Sequence, residues 1–164
     1  MADPDPHWLP WLGFALRLAA AAVWIVSGAA KIPQIGTFQI LVQRYGILPD
    51  VLAGPFAFIL PFLEIGIGLY LAAGLLVRGV ALAGTLLFVA FLTAQVSAWA
   101  RGIALDCGCF GSLLQATVGP LTIVRDFCLG IPTFVMLAFP ARRLSLDKRL
   151  FDAPDSFRGS RLVR

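Results

Sequence analysis

Charged residues are scarce in this sequence: they make up 13% of the 164 residues, about half the quarter that is typical of soluble domains. Apolar residues instead make up 59%, and the mean hydropathy is +0.87. So few polar side chains cannot cover a globule, which excludes an ordinary soluble enzyme, and so apolar a chain is not disordered. We therefore expect the chain to be embedded in a lipid bilayer.

Excess positive charge is also absent from most of the chain. Residues 1–139 carry six basic and six acidic side chains, whereas the tail from residue 140 carries seven basic and three acidic. The net charge of +4 therefore comes from the tail, and we expect no nucleic-acid partner. A basic segment directly after a hydrophobic one is typical of the cytoplasmic face. We divide the chain into a membrane domain, residues 1–140, and a basic cytoplasmic tail, residues 141–164.

Four apolar stretches are long enough to cross a bilayer as helices, which takes about 20 residues. They cover residues 11–30, 51–77, 79–100 and 119–139. Alternation with a period of two is absent, so we predict an all-α fold: an integral membrane four-helix bundle with up-down topology and both termini in the cytoplasm. The opening segment is acidic and rich in proline, unlike a cleaved signal peptide, so we expect the first helix to be retained.

This topology places two connecting segments on the outer face of the membrane. The first, residues 31–50, is amphipathic and is expected to lie on the membrane surface. The second, residues 101–118, holds Cys107 and Cys109 on either side of Gly108. Disulfides persist in an oxidising exterior, and Gly108 permits the turn that a bridge between the two sulfurs requires. Because so short a bridge adds little stability, the pair favours redox exchange over a structural role.

Two other interpretations of the cysteine pair remain open. The thiols could be inert, or they could be two ligands of a metal. Zinc usually takes four ligands, and the single histidine, His7, would lie on the opposite face, so we predict no metal site. Cys128 lies nine residues into the fourth span, about 13 Å along a helix, and we expect it to be a small buried packing residue.

Five ionisable residues lie within the spans or at their ends, where charges are costly and are usually paired or functional. Glu64 is near the middle of its span, and we predict that it pairs with Arg17, with snorkelling of Arg17 as the alternative. Arg125 and Asp126 point about 100° apart on a helix, so we expect each to need a separate partner, with Arg125 near the cysteine loop. Lys31 would approach that loop or meet lipid headgroups. We favour a structural polar network over a proton pathway.

A set of short motifs gives the chain a family resemblance. The motifs are Ser27-Gly28-Ala29-Ala30-Lys31, Leu48-Pro49, Pro61 and Glu64 with Gly68 and Gly74, the block Asp106-Cys107-Gly108-Cys109-Phe110-Gly111, and Thr122 to Arg125. Through them the chain is similar to the MauE family of methylamine utilisation membrane proteins, within the wider DoxX-like group of four-span proteins, over about residues 10–140. Asp126 departs from the pattern, in which we expect an amide.

The resemblance implies a function in thiol chemistry. It implies that this protein of the inner (cytoplasmic) membrane helps to mature an exported, cysteine-containing client, the small subunit of methylamine dehydrogenase, together with a thioredoxin-like partner, MauD. Cys107 and Cys109 would then be the catalytic pair, supported in their loop by Asp106, Gly108, Phe110 and Gly111. Analogy with other four-helix membrane thiol oxidoreductases, DsbB and vitamin K epoxide reductase, implies quinone as the electron acceptor.

Two other classes of function remain open. In one, the chain is a non-enzymatic assembly or docking factor, and a disulfide between Cys107 and Cys109 only shapes the loop. In the other, which rests on the buried carboxylate of Glu64 alone, the chain transports a small solute. A redox titration of the cysteine pair would discriminate these classes from an oxidoreductase.

Overall fold

A computed structural model of the chain describes residues 9–108 and 116–138. Over these residues, four helical segments are long and apolar enough to cross a membrane, which confirms the predicted all-α membrane fold. The first of them, Trp11–Tyr45, runs through two consecutive helices and the turn between them. The elements are α1 (Leu9–Lys31), a 3-10 turn (Ile32–Gln34), α2 (Ile35–Tyr45), α3 (Asp50–Ala73), α4 (Val77–Ala100) and α5 (Pro120–Ala138).

The connection between α3 and α4 differs from the predicted one. The second span ends at Ala73 rather than at residue 77, because Gly74 follows it with a φ of 70°, in the left-handed conformation that closes many helices. Val77, which we placed at the end of the second span, and Arg78, which we placed between the spans, form the start of α4. The two helices are therefore joined by three residues.

The spanning helices form a closed ring. α3 packs against α1 and α4, and α5 packs against α4 and α1, so that successive spans are neighbours and the last span returns to the first. α2 packs on the outside of this ring against α3. This arrangement is the predicted up-down bundle. Because the chain alternates between the two ends, the segments before α3 and after α4 meet at one end, which we call the cysteine end.

Small residues bring α1 and α3 into close contact. A Cβ atom at Gly28 would lie 2.5 Å from the carbonyl oxygen of Pro61, and a Cβ atom at Gly68 would lie 2.8 Å from that of Ala21. Both contacts are with backbone, which cannot move aside as a side chain can. Close approach of helix backbones at small residues is typical of membrane bundles, in which packing rather than hydrophobic exclusion holds helices together.

The same contacts fix how far α1 is displaced along α3. Gly28 opposes Pro61 and Ile65, so the end of α1 reaches only to the middle of α3. The remaining half of α3, towards the cysteine end, is covered instead by α2, whose residues Phe38 and Val42 form a buried cluster with Ala53, Ala57 and Leu60. The amphipathic segment is thus a helix with its apolar side on the bundle. That it lies on the membrane surface stays a prediction.

Polarity is inverted relative to a soluble protein. Large apolar side chains such as Phe58, Leu86 and Phe127 are exposed on the outside of the bundle. Polar and charged side chains are enclosed by the helices, which is the arrangement expected of a bundle surrounded by lipid. Among the described residues, the buried polar or charged side chains are Arg17, Ser27, Lys31, Glu64, Thr85, Gln95, Thr122, Asp126 and Thr133.

Candidate functional site

Cys107 is held by a short backbone bridge at the cysteine end. Its N–H donates to the carbonyl oxygen of Ala116 at 3.0 Å, and the N–H of Val118 donates to that of Leu105 at 2.7 Å. These bonds pair the two sides of the loop in antiparallel fashion and turn the Cys107 side chain into the bundle, where it is only 4% exposed. Cys109, Phe110 and Gly111 lie outside the described residues.

Position 108 requires a glycine. Its φ is 69°, which L side chains rarely adopt. A Cβ atom at this position would also overlap the side chain of Leu41 in α2. The phenolic O–H of Tyr45, at the end of α2, donates to the carbonyl oxygen of Cys107 at 3.4 Å. The loop is therefore seated on α2, while Asp106 is exposed.

The sulfur of Cys107 lies among three polar side chains. Its S–H donates to Oδ2 of Asp126 at 2.9 Å, and Nε2 of Gln95 donates to the sulfur at 3.2 Å. Nη2 of Arg125 lies 3.9 Å from the same sulfur. One proton acceptor and two N–H donors thus meet at one sulfur. The expectation that Arg125 approaches the cysteine loop is confirmed.

The expectation that Arg125 and Asp126 need separate partners is wrong. Nε of Arg125 donates to Oδ1 of Asp126 at 2.8 Å, and the two side chains form an ion pair. The long guanidinium side chain folds back along the helix far enough to span the angle between adjacent positions. Arg125 consequently contacts the Asp126 carboxylate and the sulfur of Cys107 at once.

Gln95 is a site residue that the sequence analysis missed. Its Nε2 donates to Oδ2 of Asp126 at 2.9 Å as well as to Cys107, and it is 1% exposed. The sequence does contain a signal that could have identified it. Gln95 is the single amide side chain in the predicted span 79–100, which carries no charge. A lone amide in such a helix is costly unless it bonds to a neighbouring helix.

A second polar cluster joins α1 to α3. Nζ of Lys31 donates to both carboxylate oxygens of Glu64, at 2.9 and 2.7 Å, and to Oγ of Ser27 at 2.7 Å. The hydroxyl of Ser27 donates to Glu64 in turn, at 3.2 Å. Lys31 and Glu64 are each 1% exposed. Lys31 also lies over the rings of Phe38 and Phe91, at 5.7 and 5.6 Å from their centroids.

The predicted pair between Arg17 and Glu64 is therefore wrong. Lys31 is the counter-ion of Glu64. Arg17 lies 14 residues earlier in the same helix, which is about 21 Å along its axis. It is buried near the opposite end of the bundle, where its guanidinium lies 5.2 Å from the ring centroid of Phe14. The two charges belong to different ends of α1.

The two polar clusters face a common internal cavity. Its volume is about 40 Å³, and Lys31, Glu64, Gln95 and Asp126 all line it. A water molecule needs roughly 10–15 Å³ measured in this way, together with two or more polar partners. The cavity is therefore large enough to hold water, although apolar side chains form nearly all of its wall.

Cys128 does not belong to the site. The prediction that it is a buried packing residue is wrong, because its side chain is exposed on the outer face of α5. The interior of the bundle beside α5 is occupied by the buried side chain of Trp24, whose indole N–H donates to Oγ1 of Thr133 at 3.1 Å. Over residues 9–108 and 116–138, no three His, Cys, Asp or Glu side chains are grouped as metal ligands would be.

The fold and this buried polar site define the class: a multi-pass membrane protein with a sulfur-containing site at one end of its helices. The model of the family described as methylamine utilisation protein MauE matches residues 9–139. The chain belongs to the MauE family.

Relatives of this chain come from several bacteria. It is 28% identical over 138 residues to the methylamine utilization protein MauE of Paracoccus denitrificans, covering 80% of this chain and 74% of the relative. It is 31% identical to MauE of Methylophilus methylotrophus over 140 residues, covering 84% and 70%. It is also 31% identical to MauE of Methylorubrum extorquens over 114 residues, covering 67% and 61%. No solved structure matches the chain.

Proposed function

We propose that this protein is a thiol–disulfide oxidoreductase of the cytoplasmic membrane that acts in methylamine utilisation. Its Cys107–Cys109 pair passes oxidising equivalents to a thioredoxin-like partner outside the cytoplasm. Through that partner it supports disulfide formation in an exported client, which the family resemblance implies to be the small subunit of methylamine dehydrogenase. The relatives are named methylamine utilisation proteins, which supports the link to methylamine utilisation.

The observation that carries this proposal is the environment of the Cys107 sulfur. A packing cysteine needs only apolar neighbours, whereas this sulfur is bonded to a carboxylate, an amide and a guanidinium on two different helices. Thiol–disulfide exchange requires a sulfur to accept and release negative charge and a proton. Asp126 can accept the thiol proton and return it. Gln95 and Arg125 can donate to the thiolate.

The burial of Cys107 supports different tasks for the two sulfurs. Cys107 is 4% exposed and is out of reach of a partner protein, so Cys109 is the sulfur that the partner attacks. A partner thiolate attacks the sulfur of Cys109, the bond between Cys109 and Cys107 breaks, and Cys107 leaves with the electron pair and takes up a proton. The second partner thiolate then displaces Cys109. The partner gains a disulfide, and this protein is left with two thiols.

A groove beside the loop offers the partner a place to approach. It has a volume of about 280 Å³ between α2 and the two sides of the cysteine loop, and its lining includes Thr37, Arg44, Asp106, Gly108 and Thr117. Polar and apolar groups contribute about equally to its wall. Such a mixed surface suits a transient contact with a folded partner better than a permanent one.

Trapping the mixed disulfide tests the proposal. The Cys107→Ser and Cys109→Ser variants are co-expressed with the thioredoxin-like partner, quenched with N-ethylmaleimide and separated without reductant. We expect Cys107→Ser, which keeps the attacked sulfur, to accumulate a partner adduct that reductant removes. Cys109→Ser should accumulate little adduct, and Cys128→Ser should behave as the wild type because its side chain lies outside the site.

Full maturation of the client by the Cys107→Ser/Cys109→Ser double variant, at normal protein levels, would contradict the proposal and leave a docking role. The part played by Asp126 is tested with Asp126→Asn, which keeps the shape of the side chain but cannot take up the proton. We expect exchange with the partner to slow by about 10²-fold, the low end for loss of a general base. Asp50→Asn, the same change at an exposed aspartate in the first turn of α3, outside the sulfur site and the groove, is the control.

Transport of a small solute loses the observation that suggested it. That hypothesis depended on the buried carboxylate of Glu64 alone. Lys31 and Ser27 bond to this carboxylate, so its burial has a structural explanation. We do not extend the proposal to transport.

A further inference from the structure

A chamber that opens on the side of the bundle lies between α2, α3 and α4. Its volume is about 420 Å³, within the range of roughly 300–1,000 Å³ that is usual for small-molecule sites. Ala90 and Thr93 of α4 line the chamber and are also exposed on the outside of the bundle, so the chamber opens towards lipid. The wall is almost entirely apolar and includes Phe38, Val42, Phe56, Phe91 and Ala94.

A cation lies at the end of the chamber that is nearest the cysteine end of the bundle. Nη2 of Arg101, the residue that follows α4, donates to the carbonyl oxygen of Tyr45 at 2.5 Å, and Tyr45 and Ile47 both line the chamber. Arg101 is exposed, and it forms no ion pair within residues 9–108 and 116–138. A guanidinium carries five N–H donors in a geometry that suits phosphate. The chamber thus combines an apolar interior with a cationic end.

The depth of the chamber matches one leaflet of a bilayer. Among the α4 residues that line it, Leu87 lies farthest from Arg101, 14 residues away, which is about 21 Å along a helix. Half of a bilayer, headgroups included, is about 20–22 Å thick. Leu87 is near the middle of α4, and Arg101 follows its last residue. The chamber therefore runs from the middle of the membrane to the level of the headgroups.

We propose that the chamber is a binding site for one phospholipid, which places an acyl chain between α2, α3 and α4 and its phosphate on the guanidinium of Arg101. A phospholipid supplies both an apolar chain and a phosphate at this spacing, and the bilayer presents it at the opening. Cys107 also lines the chamber, so the bound chain keeps water away from that side of the buried cysteine. The site goes beyond the proposed function and does not depend on it.

The test titrates the full-length protein, stripped of lipid in mild detergent, with phosphatidylglycerol. Native mass spectrometry counts the bound lipids, and thermal unfolding measures the stabilisation that a ligand of the folded state confers. We expect one tightly bound phospholipid. The Ala94→Leu variant, which fills the chamber from α4, should weaken binding about tenfold or more, as overpacking of a fitted site does. Ala83→Leu adds the same bulk at an exposed position outside the chamber and should bind lipid as the wild type does.

The contact with the phosphate is tested separately. Arg101→Gln keeps an N–H donor for the carbonyl of Tyr45 but removes the charge, and it should weaken the binding of phosphatidylglycerol about fivefold, the usual effect of one basic residue near an anionic lipid surface. Arg78→Gln removes an exposed cation at the other end of α4 and should leave the binding unchanged. Diacylglycerol has the same chains without the phosphate, so it should bind more weakly and equally to the wild type and Arg101→Gln.

Two controls separate loss of lipid from loss of fold. Without lipid, Ala94→Leu should unfold at or above the temperature of the wild type, because the added side chain fills empty space. In the wild type, a phosphatidylglycerol with a photoreactive diazirine at the end of its chain should label α2 or α4 at the chamber, in competition with the unlabelled lipid.

Equal binding of phosphatidylglycerol by the wild type and Ala94→Leu overturns the inference, and so does equal binding by the wild type and Arg101→Gln. Labelling outside the chamber also overturns it, as does a different lipophilic molecule or a second copy of this chain in place of the phospholipid. The thiol–disulfide function would stand in each case, because these measurements follow lipid binding and not thiol exchange.

Discussion

The ion pair of Lys31 and Glu64 is the most buried charge interaction among the described residues. Both side chains are 1% exposed, and the ammonium donates to both carboxylate oxygens. Removing one partner of a buried pair leaves an uncompensated charge, whereas removing both does not. The energetic consequence of the pair is therefore expected in the single variants rather than in the double one.

We predict that Lys31→Met and Glu64→Gln each lower the free energy of unfolding by about 3–5 kcal/mol. The double variant should lose clearly less than the sum of the two, because neither charge is left alone. Unfolding in mixed micelles by titration with dodecyl sulfate measures all three. Arg78→Met, which removes an exposed cation, is the control and should change the stability by less than about 0.5 kcal/mol. Additive losses in the double variant would contradict a direct pair.

Sequence reasoning identified the ionisable residues of the site but not their partners. Lys31, Glu64, Arg125 and Asp126 all stand out as charges near apolar spans, and all four prove to be buried or half-buried polar groups. The pairing of Lys31 with Glu64 depends on how far α1 is displaced along α3, which no local pattern encodes. Arg17 looked level with Glu64 only because both spans were assumed to begin and end at the same heights.

At the scale of the helices, the contact between α1 and α3 fixes how far α1 is displaced along α3. Gly28 opposes Pro61, and Gly68 opposes Ala21 and Ile25, so the antiparallel register is the same at two points seven residues apart in each helix. Extending it places Arg17 level with the end of α3, near Gly74. The small residues were visible in the sequence as a packing surface. Their register becomes visible only when both helices are in place.

We predict that Gly28→Ala destabilises the bundle by about 1–3 kcal/mol, the usual cost of overpacking. The added methyl group would lie 2.5 Å from the Pro61 carbonyl oxygen and 2.8 Å from the side chain of Ile65, so α1 and α3 would have to separate. Thermal unfolding in nanodiscs measures the loss. Weaker packing here should also loosen the Lys31–Glu64 pair, which lies beside it.

Gly66→Ala is the matched control for Gly28→Ala. Gly66 lies in the middle of α3, but a Cβ atom there meets nothing within 4 Å. Because alanine is the better helix former by about 0.5–1 kcal/mol, this variant should be neutral or slightly more stable. If both glycine variants lost stability to the same extent, close approach of α1 and α3 at Gly28 would not be the cause of the loss.

At the scale of the whole molecule, the features of the candidate site lie together towards the cysteine end. The cysteine end holds the groove beside the loop and the buried sulfur of Cys107, and the two polar clusters line one internal cavity. The length and apolarity of the spans predicted this architecture because lipid imposes both. The internal cavity could not be predicted, since it is lined by side chains from α1, α3, α4 and α5 that are distant in sequence.

The side of the membrane on which the cysteine end lies can be tested directly. The proposed function requires the cysteine end to face outward, and the basic tail, residues 141–164, predicts the same orientation through the positive-inside bias. In a background without the native cysteines, Ala104→Cys at the exposed start of the loop should react with a membrane-impermeant maleimide in intact spheroplasts. Ser160→Cys in the tail should react only after permeabilisation. The reverse pattern would place the sulfur pair in the reducing cytoplasm, where a disulfide donor to exported proteins could not work.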